Sequence, residues 1–282
     1  MQKRGLLLGF SLFFSLCAIA QTERLPGIGI YVPDAYGKGY VGNVSFGSTL
    51  QSRSRLSGDF FNPDGNASVN LGLGNPEKLV GLDVRVNLYG FFNAIGSPGN
   101  FGEGSLDISL SRRVADNWWL CAGINDLTGW KLAPAHQIRS FFTTATGVLK
   151  LREHAEDASP AFSKLYLTAG LGNGRFRLDE DYSIEDEGPL NLIAAAAVQV
   201  GRETNIFAEW NGYTTVAGFS SYPFRRLPIQ ILVGVDDIFH EKWKFIFACG
   251  AGINLQRGGD NNSLRRMIYA TPPPPQTSRV NR

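Results

Sequence analysis

From Val80 to Leu88 the even positions are Val80, Leu82, Val84, Val86 and Leu88, and the odd positions from Gly81 to Tyr89 are Gly81, Asp83, Arg85, Asn87 and Tyr89. Successive side chains of an extended strand point to opposite faces, so this spacing predicts one aliphatic face and one carrying an acid, a base and an amide. A helix would mix the two sets. The segment 79–91 is long for a soluble sheet, where about five or six residues are usual, and suits the roughly 9–11 tilted residues that cross a bilayer.

The same period recurs along the chain, with turn residues between its occurrences. Tyr40, Gly42, Val44 and Phe46 form a first, weak case, followed by Ala67, Val69, Leu71 and Leu73, which end at Gly74-Asn75-Pro76. Leu106, Ile108 and Leu110 lead through a tight turn at 114–117 to Trp118, Leu120, Ala122 and Ile124, a predicted hairpin. Phe141 to Leu149, Leu165 to Leu171, Leu190 to Val200, Ile206 to Trp210, Thr214 to Ser220, Ile229 to Val235 and Trp243 to Leu255 complete the set. The pattern predicts an all-β fold, an antiparallel transmembrane β-barrel of about 12 strands, with 10–14 as bounds.

A soluble two-sheet sandwich shows the same period, and three features favour the barrel. The non-aliphatic face is rich in glycine and carries charge, as strands curving around a narrow interior require. Aromatic residues gather at strand ends, among them Tyr89, Phe91 and Phe92, Trp118 and Trp119, Phe141 and Phe142, Trp210, and Trp243 with Phe245. Such rings mark the headgroup zones of a membrane. The chain also has too few cysteines for a disulfide framework, since Cys17 lies in a leader and only Cys121 and Cys249 remain. Loop lengths suggest two unlike ends: turns at 114–117 and 201–204 on one side with the loop 236–242, and long loops at 93–103, 127–137, 151–159 and 177–188 on the other.

Composition sharpens this picture at the termini. A basic start at Lys3-Arg4, an apolar run from Gly5 to Leu16 and small residues at Ala18 and Ala20 predict a signal peptide over 1–20, cleaved before Gln21, and so passage across the inner membrane to an outer membrane. The barrel is then expected over 21–255. Residues 256–282 show no alternation, hold four prolines at 272–275 and read as a Pro/Arg-rich disordered tail, solvated or touching the cell wall or a periplasmic partner. A net charge of +2, with Lys3 and Arg4 in the leader, gives no case for nucleic-acid binding.

Alternation assigns Val80, Leu82, Val84, Val86, Leu165, Leu167, Ile231, Val233 and Phe247 to outer-membrane lipid, and Asp83, Arg85, Asn87, Asp107, Arg113, Lys164, Glu209, Asp236 and Lys244 to the lumen. The charged members of the second set are four acids and four bases. In a water-filled pore they would tune selectivity, and in a closed barrel they would pair. Arginine is expected to fit at Gly81 if the lumen has room. The acidic run at Asp179, Asp181, Glu185 and Glu187 has the oxygen donors that hard divalent cations take but lacks the spacing of a calcium loop, and a solvated loop accounts for it. His136, His154 and His240 fall in loops. His154 lies near Ser159 and Ser163, yet no histidine stands where a serine nucleophile would need its base, so no catalytic residue, metal site or cofactor is assigned.

The architecture resembles that of bacterial outer-membrane β-barrels. Gly170-Leu-Gly-Asn-Gly-Arg-Phe-Arg177, Ala208-Glu-Trp-Asn-Gly212 and Pro223-Phe-Arg-Arg-Leu-Pro-Ile229 also resemble strands of an uncharacterised, cyanobacterial-type group of barrel proteins. That resemblance implies fold and location and transfers no activity. One departure is the tail, where typical barrels end in a strand with a terminal aromatic. The expected function is a narrow, porin-like channel for small solutes or a passive structural barrel, with anchoring through the tail and lipid modification as alternatives.

Overall fold

Alternating residues build twelve strands whose hydrogen-bonded neighbours run in sequence order and whose last strand returns to the first. The computed structural model describes residues 26–53, 63–90, 102–131, 139–152, 161–178, 188–201, 203–224, 227, 229–239 and 243–254. The strands are β1 (Asn43–Gln51), β2 (Asp64–Gly74), β3 (Gly81–Tyr89), β4 (Glu103–Ala115), β5 (Trp118–Trp130), β6 (Ser140–Lys150), β7 (Lys164–Gly172), β8 (Asn191–Gly201), β9 (Thr204–Trp210), β10 (Thr215–Ser221), β11 (Ile229–Asp236) and β12 (Lys244–Asn254). All pair antiparallel, and β1 closes on β12 from Asn43↔Asn254 to Gln51↔Ile246, giving a closed barrel. The leader at 1–20 and the tail at 256–282 lie outside the described residues.

Register lines the aliphatic sets up across strands. Leu165, Val198, Ile206, Phe219, Val233, Phe247 and Leu50 are successive partners from β7 round to β1, so one apolar row crosses seven strands. A second row joins Val44, Leu71, Val84, Ile108, Ile124 and Phe141 across β1 to β6. The outward side chains are bare, with Leu192 60%, Ile206 51%, Leu110 50% and Phe245 56% exposed. A continuous apolar belt of this kind exceeds the scattered patches that a soluble monomer shows to water.

Strand direction fixes the two ends. The lower end carries the connections 75–80, 116–117, 151–163, 202–203 and 222–228, and the upper end carries 52–63, 90–102, 131–139, 173–190, 211–214 and 237–243. The expected sorting by length is therefore corrected at two connections: the one containing 151–159 leaves β6 and enters β7 at the lower end, and the one containing 236–242 leaves β11 and enters β12 at the upper end. Length reflects local chain needs, whereas strand parity determines the end. The first strand is corrected too, since Tyr40 and Gly42 precede β1. Trp119, Phe142 and Tyr89 are not girdle residues; they point inward, Trp119 only 4% and Phe142 7% exposed, while Trp118 and Phe141 face out.

Residues 26–42 do not join the wall; they lie inside it. Ile28, Val32, Ala35 and Tyr36 share one buried apolar cluster with Trp119, Cys121, Phe142, Tyr166, Ile193, Phe207, Val216 and Ile246 from the wall. Tyr36 meets the edge of Trp119 with ring centroids 4.6 Å apart. The interior is thus packed on the β5 to β10 side by the chain's own N-terminal segment rather than by wall side chains alone. At its exit Gly39 holds φ +76° with its backbone against Gly81, where an added Cβ would stand 2.8 Å from the Gly39 carbonyl oxygen. The condition under which arginine would fit at Gly81 is not met, because the lumen has no room there. Gly81→Arg should lower stability by at least about 1–3 kcal/mol through overpacking; urea titration of the refolded barrel in detergent checks this, and an unchanged midpoint would count against the close approach.

Candidate functional site

The segment 26–42 follows an inverted U through the lumen, and polar wall residues mark its course. It enters at the lower end, where Asn205 Nδ2 donates to the Pro26 carbonyl at 3.0 Å and Ser220 Oγ donates to Gly27 at 2.6 Å. It climbs along β9 to Glu209, whose carboxylate accepts from the backbone N–H groups of Ile30 (3.1 Å), Tyr31 (2.9 Å) and Val32 (3.1 Å). It then descends past Thr146, which accepts from the Ala35 N–H at 3.0 Å, and past Ser111, which donates to the Lys38 carbonyl at 3.1 Å. Val41 N–H finally bonds the Gly74 carbonyl at 2.8 Å and leads into β1. Near this exit the Tyr40 hydroxyl donates to Glu77 at 2.7 Å; burial and that bond push the phenol well above its usual range, so the contact persists into alkaline solution.

Each lumen-assigned residue can now be placed. Glu209, 2% exposed, is the cradle for the apex of the U. Asp236, fully buried, pairs with Lys244 at 3.1 Å and accepts from Thr214. Arg113 lies at the lower rim over the Trp119 ring at 5.6 Å and donates to the Ala115 and Asp116 carbonyls. Lys164 is buried at the start of β7. Asp107 accepts from Asn87 Nδ2 (2.8 Å) and from the Asp126 N–H (2.8 Å), and Asp126 holds Arg175 at 2.8 Å and the Tyr89 hydroxyl at 2.9 Å. This network ties the 3₁₀ turn Gly174–Phe176 over the upper mouth, with Phe176 against Phe142. Asp83 and Arg85 are half-buried on β3 below it.

Opposite the U, a cavity of about 620 Å³ remains. Its far wall is β12 to β4, presenting Ser45, Asn66, Ser68, Asn70, Asp83 and Arg85, with the U supplying Ile30, Tyr31, Asp34 and Lys38. The space is open at Gly252, where an added Cβ would meet only the Ser45 Cβ at 3.6 Å and the Val44 carbonyl at 3.9 Å. Polar side chains on a solvent-accessible interior and an apolar exterior are what water-borne solutes and lipid respectively require.

The outward set behaves as a face. Val80, Val86, Leu167 and Phe247 are exposed, and Leu82, Val84, Leu165, Ile231 and Val233 are partly so. His136, His154, His240 and the acidic residues Asp179, Asp181, Glu185 and Glu187 lie outside the described residues. Among the described residues no group of histidine, cysteine and carboxylate side chains is arranged to hold a metal. What the alternation did not reveal is the U itself, with Asn205, Ser220, Thr146 and Ser111 as its wall contacts. Its trace in the sequence is a strandless stretch in which Pro26, Gly27, Gly29, Pro33, Gly37 and Gly39 punctuate apolar Ile28, Ile30 and Val32.

No family model matches the chain, and no curated protein matches it. Similar solved structures include a KdgM porin, at 9% identity and a TM-score of 0.43, and a KdgM porin in complex with disordered oligogalacturonate, at 7% and 0.42. Each match covers 76% of this chain and 99% of the other. The fold assignment stands on this chain's own closed strand order.

Replacing Glu209 by alanine removes the acceptor of three N–H groups inside the barrel, at about 1–3 kcal/mol for each donor left unpaired. In a chain lacking residues 1–20, with Cys121 and Cys249 changed to serine, Ala35→Cys should resist a thiol reagent, and adding Glu209→Ala should expose it while far-UV circular dichroism stays that of a β-barrel. Equal protection in both would mean that the carboxylate does not hold the segment.

Proposed function

We propose that the protein is an outer-membrane barrel that passes small polar solutes through the space between its internal U and the β12 to β4 wall. The observation that carries this is the polar cavity of about 620 Å³ inside a closed ring whose outside is aliphatic. Twelve strands make a ring wider than the eight that side chains alone fill. The U takes up one side of that excess width and leaves the other lined with amides, hydroxyls and charges. The lumen residues Asp83, Arg85 and Asn87 border the passage in this reading, whereas Glu209, Asp236 and Lys244 serve the scaffold. Val80, Leu82, Val84, Val86, Leu165, Leu167, Ile231, Val233 and Phe247 face acyl chains. The similarly folded KdgM proteins are named porins, and the proposal for this chain rests on its own cavity.

A passive structural barrel is the competing reading, and conductance separates the two. The refolded mature protein should give small, steady current steps in planar bilayers, and Gly252→Trp, whose indole has only the cavity to enter, should reduce them several-fold. Silence of the wild type at every voltage would favour the structural reading.

The membrane face has its own check. Val84→Arg should cost about 2–4 kcal/mol when the barrel is folded into lipid vesicles and titrated with urea. A cost below about 1 kcal/mol would remove that face from the bilayer midplane.

A further inference from the structure

The charges around the cavity fall into two groups. Lys38 is matched by Asp34 at 3.4 Å and Arg175 by Asp126 at 2.8 Å, while both oxygens of Asp107 are occupied by the Asn87 amide and the Asp126 N–H. Asp83 and Arg85 stand apart. They are two residues along β3 and point to the same side, which places their Cβ atoms roughly 7 Å apart along the strand, yet they form no ion pair with each other or with any other described residue.

The reason is a cross-strand row. Ser45, Asn70, Arg85 and Asp107 are successive partners across β1, β2, β3 and β4. Asn70 donates to the Ser45 hydroxyl at 3.0 Å and turns its carbonyl oxygen to Arg85, which donates from Nε. The guanidinium is thereby drawn toward β2, away from Asp83, and its two terminal nitrogens engage no described residue. Asp107 faces Arg85 across the ladder but is held by its own donors. Asp83 opposes Gly72 and Ser109 across the ladder, neither of which brings a charge, and the strongest charge acting on it is the Lys38 ammonium of the U, which stays outside ion-pair distance. Both groups border the cavity beside the neutral Ser68, Asn70 and Asn87, with Asp107 on β4 and the Asp34 and Lys38 pair of the U lining it too.

We infer that Asp83 and Arg85 together form a recognition site for small zwitterions, molecules carrying a carboxylate and an ammonium group on adjacent carbons or nearly so, and that the passage favours them over anions and cations of equal size. This rests on the channel reading above. A free anion meeting Arg85 is repelled by Asp83 and Asp107, and a free cation meeting Asp83 is repelled by Arg85 and Lys38. A zwitterion satisfies both at once, its carboxylate on the fork of Arg85 and its ammonium on Asp83. Since both side chains belong to a single strand and Asn70 fixes the arginine, the site is set before a solute arrives.

The test is uptake into proteoliposomes of four solutes of similar size: L-serine, D-glycerate, the serinol cation and glycerol, the last corrected for leakage through protein-free vesicles. The wild type should take up serine several-fold faster than glycerate or serinol. Arg85→Gln should shift the preference to serinol, Asp83→Asn should shift it to glycerate, and the double variant should show neither, each variant first being shown to fold by its heat-dependent shift on gels. Equal rates for the charged solutes in the wild type, or a serine preference that survives both substitutions, overturns the inference. Should no solute enter at all, the channel reading fails by itself, and titration calorimetry of the detergent-held wild type with L-serine decides the site: heat lost in Arg85→Gln supports it, and its absence overturns it.

Discussion

A strand edge left open in hydrocarbon would expose a row of N–H and C=O groups with no water to take them, at several kcal/mol for each. The pairing of β1 with β12 over nine residue pairs removes that edge, and much of the remaining structure follows from the closure. Once the ring is shut, one face of every strand must satisfy lipid and the other must deal with whatever the ring encloses. That division is why the residues alternate with a period of two from β2 to β12. It also sets a problem of volume, because a ring of twelve strands encloses more space than inward side chains can fill.

The internal U meets that problem at a further cost. A segment without a ladder partner brings its own backbone donors and acceptors into a space where few are free, and they must be matched by side chains. Glu209 takes three consecutive N–H groups, Asn205 and Ser220 take the carbonyls at the entry, and Thr146 and Ser111 serve the descent. The apolar share of the segment, Ile28, Val32 and Tyr36, is buried against Phe207, Trp119 and their neighbours, an inward-facing apolar core that a simple water-filled pore would lack. Part of the inner polar face is therefore scaffold. Only the remainder borders free space.

This explains what the sequence could and could not disclose. Alternation is a local property, so the strands and the facing of Val84, Asp83, Phe247 and Glu209 were legible residue by residue. The U was not, because its contacts link residues far apart, such as Ile30 with Glu209, and its own stretch has no period at all. The same limit accounts for Trp119 and Phe142. Adjacent aromatic pairs suggested girdles, but in a strand one of two neighbours must point inward, and here that member packs on Tyr36 or Phe176. Loop length misled for a related reason: the chain 151–163 is long, yet six alternating strands after the start of β1 it can only return to the lower end.

Charge counting fails in an instructive way as well. Four acids and four bases on the inner face sum to zero and suggest an unselective lumen, but a sum ignores which charges have already met. Asp236 with Lys244, and the Asp126 to Arg175 pair that the count did not include, cancel within hydrogen-bonding distance, and their fields fall away over a few ångströms. Asp83 and Arg85 do not meet, because the amide of Asn70 takes the arginine first. What is left is a dipole along β3, with its acid toward the lower end and its base toward the upper. A charge-neutral interior is thus compatible with a directed field where the wall is open, and the neutral side chain at position 70 is what keeps that field from collapsing into one more ion pair.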